Sequence, residues 1–164
     1  MSEAEHSDPV AAWTLQKRKV VVPFDFSAAS RKALAVARTF VPDAAMPEGG
    51  TVYVVHVIVP PPITAPGRLL RGPFDEERAI AQGFTALREA LADAGAQDFE
   101  AIVKVASNPA EELVAFAGAE HAELIVISSH AREGFDRWLL GSTAERVVRL
   151  APCPVLVLRG PTPQ

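Results

Sequence analysis

Five short apolar runs constrain this chain more than any other feature: Lys19–Phe24, Thr51–Ile58, Phe99–Val105, Leu124–Ile127 and Pro154–Leu158. Each is dense in Val, Ile or Leu and too short for a helix, which is the pattern of a strand. Between them lie longer segments with helical spacing. Near-continuous apolar strands that alternate with helices predict one open parallel sheet with helices on both faces, an α/β fold. Neither an internal repeat nor a second domain is visible.

The intervening segments carry their own start and stop signals. Ser27 is placed to cap a helix from Ala28 to about Phe40, with Leu34 and Ala37 facing inward. A long helix from about Phe74 to Ala94 brings Ile80, Phe84, Leu87 and Leu91 to one face, and Gly95 ends it. Asn108 followed by Pro109, with Glu111 and Glu112 in the first turn, opens another helix. The last helix, Ser142–Leu150, is expected to turn Val147 and Leu150 inward. Pro42–Gly50 reads as a turn region. The Pro/Gly-rich connection Pro60–Pro73 is long for a compact domain, as functional lids and mobile connections are.

Composition narrows the class. A chain of 164 residues predicts one domain with a real core. Although 49% of residues are hydrophobic, no apolar run is long enough to cross a bilayer, so no membrane association is expected. The acidic start Met1-Ser-Glu-Ala-Glu-His-Ser-Asp8 lacks the order of a signal peptide. Residues 1–17 read as a tail, whose Trp13 and Leu15 could pack on the body or on a second subunit. One cysteine permits no internal disulfide and suits a cytoplasmic location. Cys153, between Pro152 and Pro154, reads as a small buried hydrophobe rather than a nucleophile. With a net charge of −4 and dispersed basic residues, the chain is not expected to bind nucleic acid.

The familiar catalytic and nucleotide fingerprints are missing. There is no G-x-G-x-x-G after the first strand, no G-x-x-x-x-G-K-[ST], and no G-x-S-x-G elbow. The four histidines (His6, His56, His121 and His130) show no metal-ligand spacing. A receiver domain would need further acids at strand ends, where the second and third runs instead close on Val59-Pro60 and Val105-Ala106. His56, inside the second run, reads as a satisfied core residue. Glu111 and Glu112 read as charge compensation at a helix start.

Two places remain chemically open. Asp25 follows the first strand at the edge where open α/β sheets bind ligands. It reads either as a carboxylate for a ribose hydroxyl or adenine amine, or as a cap for the next helix. The second place is Glu123–Ser142, where an apolar strand ends in small polar residues, a basic loop follows, and Gly141-Ser142 opens a helix. That is the layout of a phosphate cradle with few glycines. His130 and Arg132 read equally as phosphate partners or as solvated loop residues.

Taken in order, the segments Val20–Ser27, Val54–Ile58, Pro109–Leu113, Glu123–Arg132, Leu139–Glu145 and Ala151–Val157 resemble the universal stress protein family. The resemblance implies a domain over residues 18–160, with tails at 1–17 and 161–164. It implies the strand order 3-2-1-4-5 of the adenine-nucleotide alpha-hydrolase-like fold, and a homodimer paired through the last strand, which would otherwise be an open edge. ATP-binding members carry G-x2-G-x9-G-[ST]. Here the same spacing reads Ser128-x2-Ala131-x9-Gly141-Ser142, so the first two glycines are replaced. Where those positions need positive φ, a side chain costs about 1–2 kcal/mol. The Ser128 hydroxyl offers a donor in return.

By the same resemblance Pro23, Asp25 and Val57 would meet the nucleoside. Ile127, Ser128, His130, Ala131, Arg132, Gly141, Ser142 and Thr143 would complete the nucleotide site. The implied ligand is ATP with Mg2+, held as a stress-response signal without efficient catalysis, since no water-activating base is evident unless His130 serves. No catalytic residue and no protein metal ligand is assigned. The alternative is a nucleotide-free scaffold that acts through protein partners.

Overall fold

The five runs form one sheet. A computed structural model describes residues 18–41, 49–62, 74–129 and 141–159. Its strands are β1 (Lys19–Pro23), β2 (Thr51–Ile58), β3 (Glu100–Val105), β4 (Leu124–Ser129) and β5 (Val155–Arg159). Between them run α1 (Ala28–Arg38), α2 (Glu76–Asp93), α3 (Pro109–Ala119) and α4 (Ser142–Leu150). Every pairing is parallel and the order is β3-β2-β1-β4-β5. The tails, Trp13, Leu15 and most of the two long connections lie outside the described residues.

Side chains alternate across the sheet and build two cores. Val20, Val22, Val52, Val54, Leu124 and Val126 pack with Leu34, Leu87 and Leu91 of α1 and α2. Val21, Val55, Ile125 and Ile127 pack with Leu113 of α3 and Val147 of α4. Burial on both faces is why these strands are apolar without alternation.

Caps set the helix starts. The Ser27 hydroxyl accepts the Ser30 amide at 3.1 Å, and Asn108 Oδ1 accepts the Glu111 amide at 3.4 Å, with Pro109 in the first turn. Asp75 caps α2 by accepting the Arg78 amide at 3.0 Å, so that helix begins just after Phe74.

Three expectations need correction. β4 does not stop at Ile127: Ser128 pairs with Leu158 and Ser129 with Arg159. A ladder is made by main-chain groups, so two serines extend it as well as two valines would. Phe84 does not face the core but is 46% exposed. The residue under α2 at that turn is Gly83, where an added Cβ would lie 3.0 Å from Ile58 Cδ1 and 3.2 Å from Val103 Cγ1. This close approach seats α2 on β2 and β3 and turns Phe84 aside. Leu150 is also exposed, because α4 ends there and Ala151 takes the inward contact.

One staple ties α1 to the loop before β3. Arg38 donates to both carboxylate oxygens of Asp98, at 3.1 and 2.7 Å, and to the Gly95 carbonyl at 3.1 Å. Its guanidinium lies 4.4 Å from the Phe99 ring centroid. Gly95 has φ +65°, a left-handed turn that suits glycine. These hydrogen bonds hold the Asp98 carboxyl below the usual carboxylate range. Its folded pKa is therefore the lower one, so the stabilisation is present above the unfolded value and is lost as pH falls through the folded one. Both partners are exposed, which limits the effect. Asp98→Asn is expected to lose less than about 1 kcal/mol at neutral pH. Urea melts should show the difference from wild type shrinking as the pH is taken down to about 2.

Candidate functional site

Strand order creates the crevice. From β1 the chain moves through α1 to β2 on one side, whereas β4 lies on the other side of β1. The connections at the carboxyl ends of β1 and β4 therefore diverge, which is where open α/β sheets take ligands. Pro23, Phe24 and Asp25 leave β1 at this edge, and Ser128 and Ser129 end β4. The start of α4 returns to the same edge, because the helix joins two parallel strands.

The β1–α1 turn is unusual in its backbone. Phe24 extends the ladder by one bond, donating its amide to the Val55 carbonyl at 2.9 Å. Phe26 then adopts φ +65°, the left-handed region, which costs a bulky residue roughly 1–3 kcal/mol. Aromatic contacts hold it. Its ring meets Phe24 edge-on at 5.2 Å and His56 at 4.7 Å, and Arg31 lies 6.0 Å from the Phe24 ring. Nδ1 of the half-buried His56 is 2.8 Å from the Phe24 carbonyl oxygen. A carbonyl only accepts, so Nδ1 carries the proton.

Asp25 is exposed at the crevice mouth, and its Oδ1 accepts the Ser27 amide at 3.2 Å. The carboxylate thus shapes the turn before α1, as the capping reading expects, while standing at the ligand edge.

α4 begins at Gly141 with φ −56° and ψ 145°, a residue with no side chain of its own to cap the helix. The first amides of a helix have no intrahelical partner and carry the positive end of its dipole. Such amides attract anions in general, and the helix is otherwise well anchored, since the Glu145 amide donates to the Gly141 carbonyl at 2.9 Å and Arg146 pairs with Glu111 on α3. Glu112 faces Lys104 at 4.0 Å, so both acids at the start of α3 have basic neighbours.

The structure gathers some of the expected site residues and separates one. Pro23, Val57 and Ile127 share the α3/α4 face on three adjacent strands, at the end toward the crevice. Ser142 and Thr143 stand on the first turn of α4 beside Gly141. Ser128 is different: alternation places it with Val126 and Leu158 on the α1/α2 face. His130, Ala131 and Arg132 lie outside the described residues. Sequence reasoning missed Phe24, Phe26 and His56 as the frame of the Asp25 turn. Nothing in a non-glycine residue announces a left-handed backbone.

Cys153 is half-buried rather than buried, and burial raises its thiol pKa. A higher pKa leaves less thiolate to react. Thiol-reactive dye at pH 8 is expected to label it at least about tenfold more slowly in the folded chain than in urea. A shallow groove on the outer side of α2, lined by Ala81, Gln82, Thr85, Ala86 and Glu89, offers one carboxylate and no basic partner among those residues. It does not suit a phosphate.

Among the described residues no helix is long and apolar enough to cross a membrane, and no group of three or more His, Cys, Asp or Glu side chains could hold a metal ion.

The parallel β3-β2-β1-β4-β5 order is the one expected of the adenine-nucleotide alpha-hydrolase-like fold. The universal stress protein family model matches residues 17–159. The chain belongs to that family. A universal stress protein of Methanocaldococcus jannaschii is 31% identical over 161 residues, covering 88% of this chain and 83% of that protein. A universal stress protein of Lactobacillus plantarum superposes with a TM-score of 0.65 at 23% identity, over 88% of this chain and 99% of its own. One from Archaeoglobus fulgidus, solved in complex with dAMP, gives a TM-score of 0.54 at 26% identity, over 88% of this chain and 98% of its own.

Proposed function

We propose that this protein binds an adenine nucleotide, ATP with Mg2+, at the crevice between β1 and β4, and holds it as a cytoplasmic stress-response signal without efficient turnover. The observation that carries this reading is the start of α4 at Gly141, a residue with no side chain to cap it, brought by the topology to the same sheet edge as Asp25. The first amides of α4 and the Ser142 and Thr143 hydroxyls suit phosphates. Pro23, Val57 and Ile127 offer an apolar side for the base, and Asp25 a carboxylate for its sugar. The dAMP complex of the Archaeoglobus fulgidus relative supports the ligand class. Mass spectrometry of small molecules released from natively purified protein tests the reading. An adenine nucleotide is expected in stoichiometric amount after incubation with ATP, and its absence would contradict it.

A nucleotide-free scaffold that acts through protein partners is favoured by one observation. Ser128, at the first glycine position of the ATP loop, is held in β4 with its side chain on the α1/α2 face. In either case we infer a homodimer through β5, which is an edge strand of the sheet among the described residues. Light scattering on the eluting peak is expected to give twice the chain mass of 17.5 kDa at micromolar concentration. A monomer would contradict the dimer.

A further inference from the structure

We propose that His56 is a positioning residue for nucleotide binding, holding the β1–α1 turn that presents Asp25 at the crevice. This deepens the nucleotide reading and rests on it for the ligand. His56 lies on β2 with Val52 and Val54, on the α1/α2 face rather than the face expected to hold the base. It is therefore placed to act through the turn and not by touching the ligand. α2 closes over it at Gly83, where an added Cβ would lie 3.7 Å from His56 Cδ2.

From that seat the imidazole does two things. Its Nδ1–H donates to the Phe24 carbonyl at 2.8 Å. A continuing parallel ladder would offer that carbonyl to a β2 amide; the side chain takes it, and β1 ends. The ring also stands edge-on to Phe26, 4.7 Å between centroids with the planes at 69°. Phe26 is the residue with φ +65°. Asp25 sits between these two held residues and accepts the Ser27 amide at 3.2 Å. The hydrogen bond and the ring contact thus bracket Asp25 on both sides. Without them the turn can relax toward an ordinary backbone, and the carboxylate leaves its place.

The test uses the full chain and three substitutions. His56→Phe keeps a ring against Phe26 and removes the donor, His56→Asn returns a donor near the Nδ1 position, and Asp25→Ala removes the presented group. In 15N-labelled apo protein, His56→Phe is expected to shift the Ser27 amide and increase its solvent exchange, while His56→Asn stays near wild type. In calorimetry with ATP and Mg2+, His56→Phe is expected to weaken binding about tenfold, the scale of one lost hydrogen bond. In the Asp25→Ala background it is expected to cost nothing further. An unmoved Ser27 amide, or an equal affinity loss in that background, would overturn the proposal. If wild type takes up no ATP, the nucleotide reading fails separately and the Ser27 amide still decides whether His56 holds the turn. Should His56→Phe not fold, His56→Ala is read in the same way.

Discussion

Gly141→Asp is expected to raise the thermal stability of the protein slightly while weakening ATP binding by at least about a hundredfold. The two effects have one cause. Gly141 holds φ −56° and ψ 145° and has no side chain of its own to cap α4. Any L-residue adopts that backbone, so the substitution brings no strain. An aspartate there accepts one of the unpaired first-turn amides and places a negative charge at the positive end of the helix, worth a few tenths to about 1 kcal/mol. The same carboxylate occupies the donors a phosphate would use and repels it. Melting curves and calorimetry on one preparation check both signs. Stability gained with affinity unchanged would mean that the start of α4 is not the anion site.

Ile125→Ala is expected to be the most destabilising simple truncation, at about 3–4 kcal/mol. Ile125 is fully buried in β4, in register with Val21 on one side and Val155 on the other. It packs in the core under α3 and α4. A parallel sheet covered on both faces has little room to collapse around the lost atoms. Against a typical total of about 5–15 kcal/mol the loss is large, and the melting temperature should fall by roughly 10 °C. Phe84→Ala, although it removes a larger side chain, is expected to cost less than about 1 kcal/mol because Phe84 is 46% exposed. Urea unfolding with unchanged m-values would measure both. Equal losses would show that Phe84, not Gly83, faces the sheet.

That pair of residues illustrates how far the sequence could be read. Strand positions, helix starts and the alternation of elements were legible because burial on both faces leaves continuous apolar runs, and because Ser27, Asn108 and Pro109 are local signals. The order β3-β2-β1-β4-β5 came from the family resemblance. Helical periodicity misplaces Phe84 because a hydrophobic count cannot see glycine as a core residue. At Gly83 the absence of a side chain is what lets α2 approach. Ser128 reads as lying past the strand because serine is a loop former, whereas the ladder with Leu158 depends on main-chain groups. Asp25 and Gly141-Ser142 were legible by position, at a strand end and a helix start. The frame around Asp25 was not, since it depends on a long-range bond from His56 to Phe24 and a left-handed Phe26.

The central claim is that the β1/β4 crevice takes an adenine nucleotide, and isothermal titration of the wild-type chain with ATP and Mg2+ tests it most directly. A saturable heat is predicted, with one nucleotide per chain and sub-millimolar affinity. No heat at millimolar ATP would contradict the claim and leave the scaffold.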